Sequence, residues 1–201
     1  MDADVRAVRD NVPVVTTEGD DALARQRGSG AVPRTLYHYS EDGTIQRFAP
    51  HVPQSNPSHP PAVWAMDAEH SPLFWFPRDC PRISVWANDD AQRAVLRDLF
   101  HTEASRICAA ESHWLDGIRA AHVYRYVFDG SPFAAWAQAE GQYISGEVVY
   151  PQQVELIDDL LGLHADAGVE LRFTPRLGPL MDQMLASGLP FSFVRIRDAR
   201  R

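Results

Sequence analysis

Two polar side chains interrupt strand-like apolar segments of this chain of 201 residues: His38 in LYHYS and Glu147 in GEVVYP. A buried polar group without a partner costs about 1–3 kcal/mol, so such positions need a physical reason. A histidine held by the backbone at one ring nitrogen can bond a ligand hydroxyl through the other. A carboxylate at a strand start can polarise a sugar hydroxyl or stabilise a developing positive charge. The structural alternatives are a satisfied, half-buried histidine and a solvated glutamate.

Two tryptophans, Trp64 and Trp75, lie eleven positions apart, and phenylalanines flank the second. Their ring faces suit the sandwiching of a flat ligand ring. Core packing is the more frequent role of a single aromatic residue, so the spacing alone leaves both roles open.

The segment FPRDCPR is a further candidate binding element, because Arg78 and Arg82 flank Asp79 and Cys80 between two prolines. Guanidinium groups on a rigid turn can hold a pyrophosphate or a carboxylate bidentately. An Arg–Asp pair that fixes the turn is the structural alternative, and it is slightly favoured. A nucleophilic Cys80 would also need access, which the sequence does not reveal.

The composition excludes several function classes. All 19 basic residues are arginine, so lysine Schiff bases, pyridoxal-phosphate catalysis through lysine and the Walker-A lysine are absent. The net charge of −8 argues against a broad nucleic-acid surface. No apolar run of about 18 residues predicts a membrane span, and the N-terminal segment lacks an apolar signal core, so we expect a cytoplasmic protein. The histidines show no metal-binding spacing, so no metal is predicted.

Many short strands without regular βαβ alternation predict an α+β fold with mostly antiparallel strands. The patterns predict one long helix over 89–117 and two shorter helices, in PQQVELIDDLLGLH and GPLMDQMLASG. Residues 1–33 have poor periodicity and predict a mobile N-terminal extension, and residues 34–201 predict a single domain.

Three segments together resemble the ADP-ribosyltransferase superfamily of the histidine–aromatic–glutamate type. They are LYHYS, WAMD with the tryptophan that lies eleven positions after Trp64, and GEVVYP. The resemblance implies two small sheets and an NAD molecule bound in a cleft. It implies that Trp64 and Trp75 stack on nicotinamide, that His38 contacts a ribose of NAD, and that Glu147 and His38 are the catalytic residues. Tyr39 replaces the usual glycine, and tryptophan replaces both usual tyrosines.

The same resemblance completes a predicted NAD site and its chemistry. Tyr39, Arg78, Arg82 and Ser145 join it as candidate contacts, since a polar residue two positions before the glutamate helps to select the acceptor in some members. The implied activity is transfer of ADP-ribose from NAD, a small-molecule dinucleotide, to an unknown acceptor, or hydrolysis of NAD. Two alternatives stay open: a non-catalytic nucleotide- or metabolite-binding module, and a metal-dependent enzyme that uses scattered histidines.

A more extensive resemblance covers residues 35–199. The segments LYHYSE, PAVWAMDAEH, FPRDCPR and FSFVRIRDA resemble the motifs of a bacterial family of unknown function. This resemblance implies no activity.

Overall fold

The computed structural model describes residue 28 and residues 30–53 and 57–200. These residues form two compact units, which we name by their sheets. The six-stranded unit contains residues 28, 30–53, 57–71 and 124–156, and the four-stranded unit contains residues 72–123 and 157–200. Most of the predicted N-terminal extension, 1–33, lies outside the described residues. In its described part, the Gly28 amide donates to the Ala135 carbonyl oxygen over 2.6 Å.

Short strands and helices alternate irregularly along the described chain, and mostly antiparallel sheets confirm the predicted α+β class. The strands are β1 (Thr35–Ser40), β2 (Val63–Met66), β3 (Arg82–Trp86), β4 (Arg106–Glu111), β5 (Val123–Asp129), β6 (Ala134–Ala135), β7 (Gln142–Ser145), β8 (Gln153–Ile157), β9 (Glu170–Thr174) and β10 (Phe191–Val194). The α-helices among the described residues are α1 (Asp90–Phe100), α2 (Leu115–Ala120), α3 (Leu160–Asp166) and α4 (Gly178–Ser187). Short 3-10 helices cover Ser71–Phe74, Ser112–Trp114 and Ile196–Asp198.

The six-stranded sheet has the order β6-β7-β2-β1-β5-β8. One of its faces supplies a core of Leu36, Phe48, Val63, Ala65, Tyr126, Phe128, Phe133, Tyr143 and Val149. The fully buried Tyr126 ties a loop to this core, because its hydroxyl donates to the Asp42 carbonyl oxygen over 2.6 Å and accepts from the Ile45 amide over 3.1 Å.

The four-stranded sheet has the order β10-β3-β4-β9, and its β4–β9 pair is parallel. Alternate residues of β3 and β4, such as Ile83 and Ile107, pack against α1 and α4 to form the core of this unit. The opposite face of the same strands is polar, with Arg82 and Ser84 on β3 and Cys108 on β4, and all three are buried.

The long helix predicted over 89–117 is correct only in its first part. Helix α1 ends at Phe100. The next residue, His101, has a left-handed backbone with φ 53°, and the next regular element is strand β4. Every residue of β4 is buried, so its sequence RICAAE has no solvent-exposed face that would distinguish a strand from a buried helix.

The helix predicted over PQQVELIDDLLGLH is half wrong. Strand β8 covers its first part, and α3 begins only after Asp159, whose side chain accepts the Gly162 amide. None of the helices within the described ranges is long and apolar enough to span a membrane.

Candidate functional site

The strands that carry the motif residues are neighbours in the six-stranded sheet. Strand β2 pairs with β1 on one side, where Tyr37 lies opposite Met66, and with β7 on the other, where Val63 lies opposite Ser145. Cross-strand partners point to the same face of a sheet. Since Val63 belongs to the core, Ser145 also points to the core face.

His38 lies on β1 and points to that same face, two residues from the buried Leu36. Its Nδ1 lies 3.0 Å from the Trp64 carbonyl oxygen. A carbonyl oxygen only accepts, so Nδ1 carries a proton, and the neutral form of the ring then has its lone pair on Nε2. The imidazole meets the Phe48 ring in an edge contact, with centroids 5.0 Å apart. Packing and the hydrogen bond to Trp64 therefore fix the orientation of the ring and place a proton on Nδ1.

Glu147 follows β7 and is exposed. Its backbone N–H donates to the hydroxyl of the fully buried Ser145 over 3.1 Å, which shapes the turn between them. Two residues later, Val149 pairs with Phe48, whose ring contacts His38. A short series of contacts thus links the glutamate turn to the histidine.

The rings of Trp64 and Tyr39 lie on the opposite face of the sheet from His38. The Trp64 ring packs between His59 and Trp136, at centroid distances of 4.8 and 4.7 Å. Tyr39 lies opposite Arg125 on β5. The sheet therefore separates these two predicted NAD contacts from His38, while it joins His38 to the carbonyl of Trp64.

Three other predicted contacts belong to the four-stranded unit. Trp75 is buried, and its ring centroid is 5.2 Å from that of the buried His164. Arg78 is exposed, whereas only 5% of Arg82 is exposed. The Arg82 guanidinium donates through Nε and Nη1 to four carbonyl oxygens, those of Leu73, Pro77, Arg78 and Cys80.

The two cysteines are buried and free. Burial raises the pKa of Cys80 to about 12 and that of Cys108 to about 11, although arginine charges nearby act in the opposite direction. Both thiols are therefore protonated at neutral pH, which opposes the nucleophilic role considered for Cys80.

A carboxylate–histidine pair in WAMDAEH was not predicted from the sequence. Asp67 Oδ1 accepts from both the backbone amide and Nδ1 of His70, each over 2.8 Å. Gly141 packs directly on that imidazole, since a Cβ at this position would lie 2.0 Å from Nδ1. Burial raises the pKa of Tyr143, and the Asp67 charge and a hydrogen bond to Asp67 raise it further. The three-residue spacing of aspartate and histidine was the available signal.

Two surface grooves lie in the six-stranded unit. One of about 680 Å³ is lined by Gly28, Gly30 and residues 135–143, and one of about 480 Å³ is lined by Gly43, Thr44, Ile45, Gln46, Pro151 and Val154. Neither of these two is lined by His38 or Glu147. Within residues 28, 30–53 and 57–200, no three histidine, cysteine, aspartate or glutamate side chains form a group that could hold a metal ion.

A family model matches residues 37–199, and it describes DUF6886, a family of unknown function. The chain belongs to this family. No curated protein and no solved structure matches the chain. The DUF6886 span includes His38, Glu147 and both arginines of FPRDCPR, so the polar groups described above fall within the family region.

Proposed function

We propose that this chain binds NAD and cleaves its nicotinamide–ribose bond, passing the ADP-ribosyl group to an acceptor or to water. The observation that carries this proposal is the adjacency of β1, β2 and β7, which brings His38 and the turn from Ser145 to Glu147 into one sheet. The likeness of these three segments to the histidine–aromatic–glutamate motifs names NAD as the ligand.

In this proposal His38 is the ribose-binding group. Its Nδ1–H donates to the Trp64 carbonyl oxygen, so Nε2 of the neutral ring accepts a hydrogen bond from a ribose hydroxyl. Trp64 contributes its main-chain carbonyl, because its ring lies on the other face of the sheet between His59 and Trp136.

Glu147 is the catalytic carboxylate in this proposal. The carboxylate accepts a hydrogen bond from the 2′-hydroxyl of the nicotinamide ribose. The glycosidic C–N bond breaks, and its electron pair stays on the nicotinamide nitrogen, which neutralises the pyridinium charge. The positive charge that develops at the anomeric carbon is stabilised by the carboxylate. The acceptor hydroxyl, amine or water then forms the new bond to that carbon and loses its proton.

The first experiment measures nicotinamide release from NAD by chromatography, and ADP-ribose or an ADP-ribosylated product by mass spectrometry. We expect turnover by the natural sequence and a loss of about 100-fold or more in Glu147→Gln, because one charge-stabilising group is removed. The melting temperature should stay unchanged, since Glu147 is exposed. Glu103→Gln is the matched control, because this glutamate is also exposed and lies outside the proposed site.

The variants Trp64→Phe and His38→Gln separate the two roles assigned on β1 and β2. Trp64→Phe keeps the carbonyl and should keep nicotinamide release, whereas His38→Gln should lower it. Unimpaired release by Glu147→Gln would contradict the mechanism. An NAD-induced rise in melting temperature without product would instead select the non-catalytic binding module.

A further inference from the structure

Two arginines meet at one end of the four-stranded sheet, where β3 begins and β10 ends. Arg82 opens β3 directly opposite Val194, the last residue of β10, and Arg195 follows immediately. Arg195 has a left-handed backbone, with φ 58°, which is uncommon for a residue other than glycine. The register thus brings the side chains of distant motifs, FPRDCPR and FSFVRIR, to the same strand end.

The Arg82 guanidinium is held rigidly through two of its three nitrogens. Its hydrogen bonds to described residues use Nε and Nη1, which point to carbonyl oxygens of the preceding turn. None of them uses Nη2. The rings of Phe74 and Phe76 lie about the guanidinium, at 6.0 and 5.7 Å from its central carbon. The Nη2 edge of the Arg82 guanidinium is therefore held in a fixed orientation before any ligand binds.

The charge of Arg82 lacks a close anionic partner within the described residues. No carboxylate oxygen of these residues lies within 4.0 Å of its nitrogens. The nearby thiols of Cys80 and Cys108 are protonated at neutral pH. Glu111 is fully buried, and its carboxylate accepts from the Arg200 amide over 3.0 Å. A buried guanidinium without an ion-pair partner is costly, and a neighbouring arginine increases that cost.

The carboxylate of Asp79 acts on both arginine charges, but it is loosely held. Its Oδ1 lies 3.7 Å from Arg195 Nη2, and its side chain is 77% exposed. An ion pair of this length and exposure contributes little to stability, so an incoming anion can displace the carboxylate.

We propose that Arg82 and Arg195 form a binding site for a small oxyanion, a phosphate or carboxylate group, which takes the place of Asp79. One anion oxygen accepts from Arg82 Nη2, and another accepts from the Arg195 guanidinium. Planar guanidinium forks match the spacing of such oxygens. This site is independent of the proposed NAD chemistry.

The test measures the melting temperature of the full chain against inorganic phosphate and, in a second arm, against acetate and succinate. Sodium chloride keeps the ionic strength constant, so general screening does not contribute. A ligand that binds only the folded state raises the melting temperature by mass action, which yields an apparent Kd. We expect Arg195→Gln to weaken binding by about tenfold or more, because a charge-assisted bond is lost. We expect Asp79→Asn to tighten binding, because it removes the competing carboxylate.

Arg197→Gln is the matched control, since this arginine is exposed and lies two residues further along. It should bind the anion as the natural sequence does. A response to phosphate or to the carboxylates that Arg195→Gln loses supports the site and tells which group it prefers. The absence of any response, or a response that Arg195→Gln retains, overturns the proposal. Arg82 itself is left unchanged, because its carbonyl contacts hold the preceding turn together.

Discussion

Burial decides what several reactive side chains in this chain can do. The sequence indicated Cys80 as a nucleophile candidate because arginines flank it, and the charge of Arg82 does lower the pKa of the thiol. Desolvation has the larger effect, however, and the pKa rises to about 12. The same reasoning holds for Cys108, at about 11.

Both thiols should therefore resist alkylation and disulfide exchange in the folded protein. At about pH 8 the thiolate fraction is very small in both, and the side chains are inaccessible. We expect a chromogenic disulfide reagent to react slowly with the native chain and to titrate two thiols after unfolding in guanidinium chloride. Rapid native labelling of either cysteine would show that the burial is wrong.

Gly141 illustrates how one missing side chain supports a polar pair. Its backbone is left-handed, with φ 71°, and a Cβ would collide with the His70 ring. Gly141→Ala should therefore destabilise the six-stranded unit by more than about 2 kcal/mol, from combined overlap and backbone strain. Denaturant unfolding followed by circular dichroism measures this. Gly178→Ala is the control, because nothing lies within 4 Å of a Cβ there, and it should change stability by less than about 0.5 kcal/mol.

The beginning of α1 was easier to predict than its end. Asp89 was identified as the start of the long helical pattern, and its side chain accepts the Gln92 amide over 2.8 Å. The Gln92 side chain in turn accepts the Asn88 amide over 2.8 Å. An aspartate followed three residues later by glutamine is a helix-start signal in sequence. No comparable residue marks the end of α1, because the left-handed position is occupied by His101 instead of glycine.

Removing the Asp89 cap should cost about 1 kcal/mol of stability. We expect Asp89→Ala to lower the denaturant midpoint without changing the circular dichroism spectrum of the native state. Asp98→Ala in the last turn of α1 is a suitable comparison. Its exposed pair with Arg97, at 3.5 Å, contributes little, and a negative charge there is unfavourable for the helix dipole. If both variants unfold at the same midpoint, the cap makes no net contribution.

Alternating or punctuated segments such as TLYHYS and GPLMDQMLASG were predicted correctly as a strand and a helix. Uniformly buried segments such as β4 were not, since periodicity is informative only where one face is solvated.

The candidate site could likewise be predicted only in part from the sequence. The family resemblance implied that His38 and Glu147 belong to one site. It did not show that Trp64 faces the other way, because register is set by cross-strand pairing. Arg195 was missed because only the pairing of β3 with β10 brings it to Arg82.

Proton uptake by buried groups should make the stability of the whole chain fall as the pH falls. The pKa of the fully buried His164 lies below its ordinary value of 6.5, because burial disfavours the imidazolium more than the carbonyls of Leu160 and Pro72 favour it. The unfolded chain therefore binds a proton near 6.5 that the folded chain binds only at lower pH. Burial acts to raise the pKa of Glu170, but hydrogen bonds from Thr102 and Arg172 outweigh it and lower the pKa below 4.5.

Both lowered pKa values mean that the unfolded chain binds more protons than the folded chain, in two successive ranges of pH. His164 contributes stability above about 6.5 that is lost as the pH falls towards its folded pKa, with a slope of up to about 1.4 kcal/mol per pH unit. Glu170 contributes stability above about 4.5 that is lost below it. We expect denaturant midpoints measured from about pH 8 to about pH 4 to decline once the pH falls below about 7. His164→Asn should remove the upper part of the slope, whatever its effect on the absolute stability, and His101→Asn, at an exposed histidine, should leave the slope unchanged. A pH profile that is flat above about 5, or one that His164→Asn does not alter, would show that the imidazole is not kept neutral by the fold.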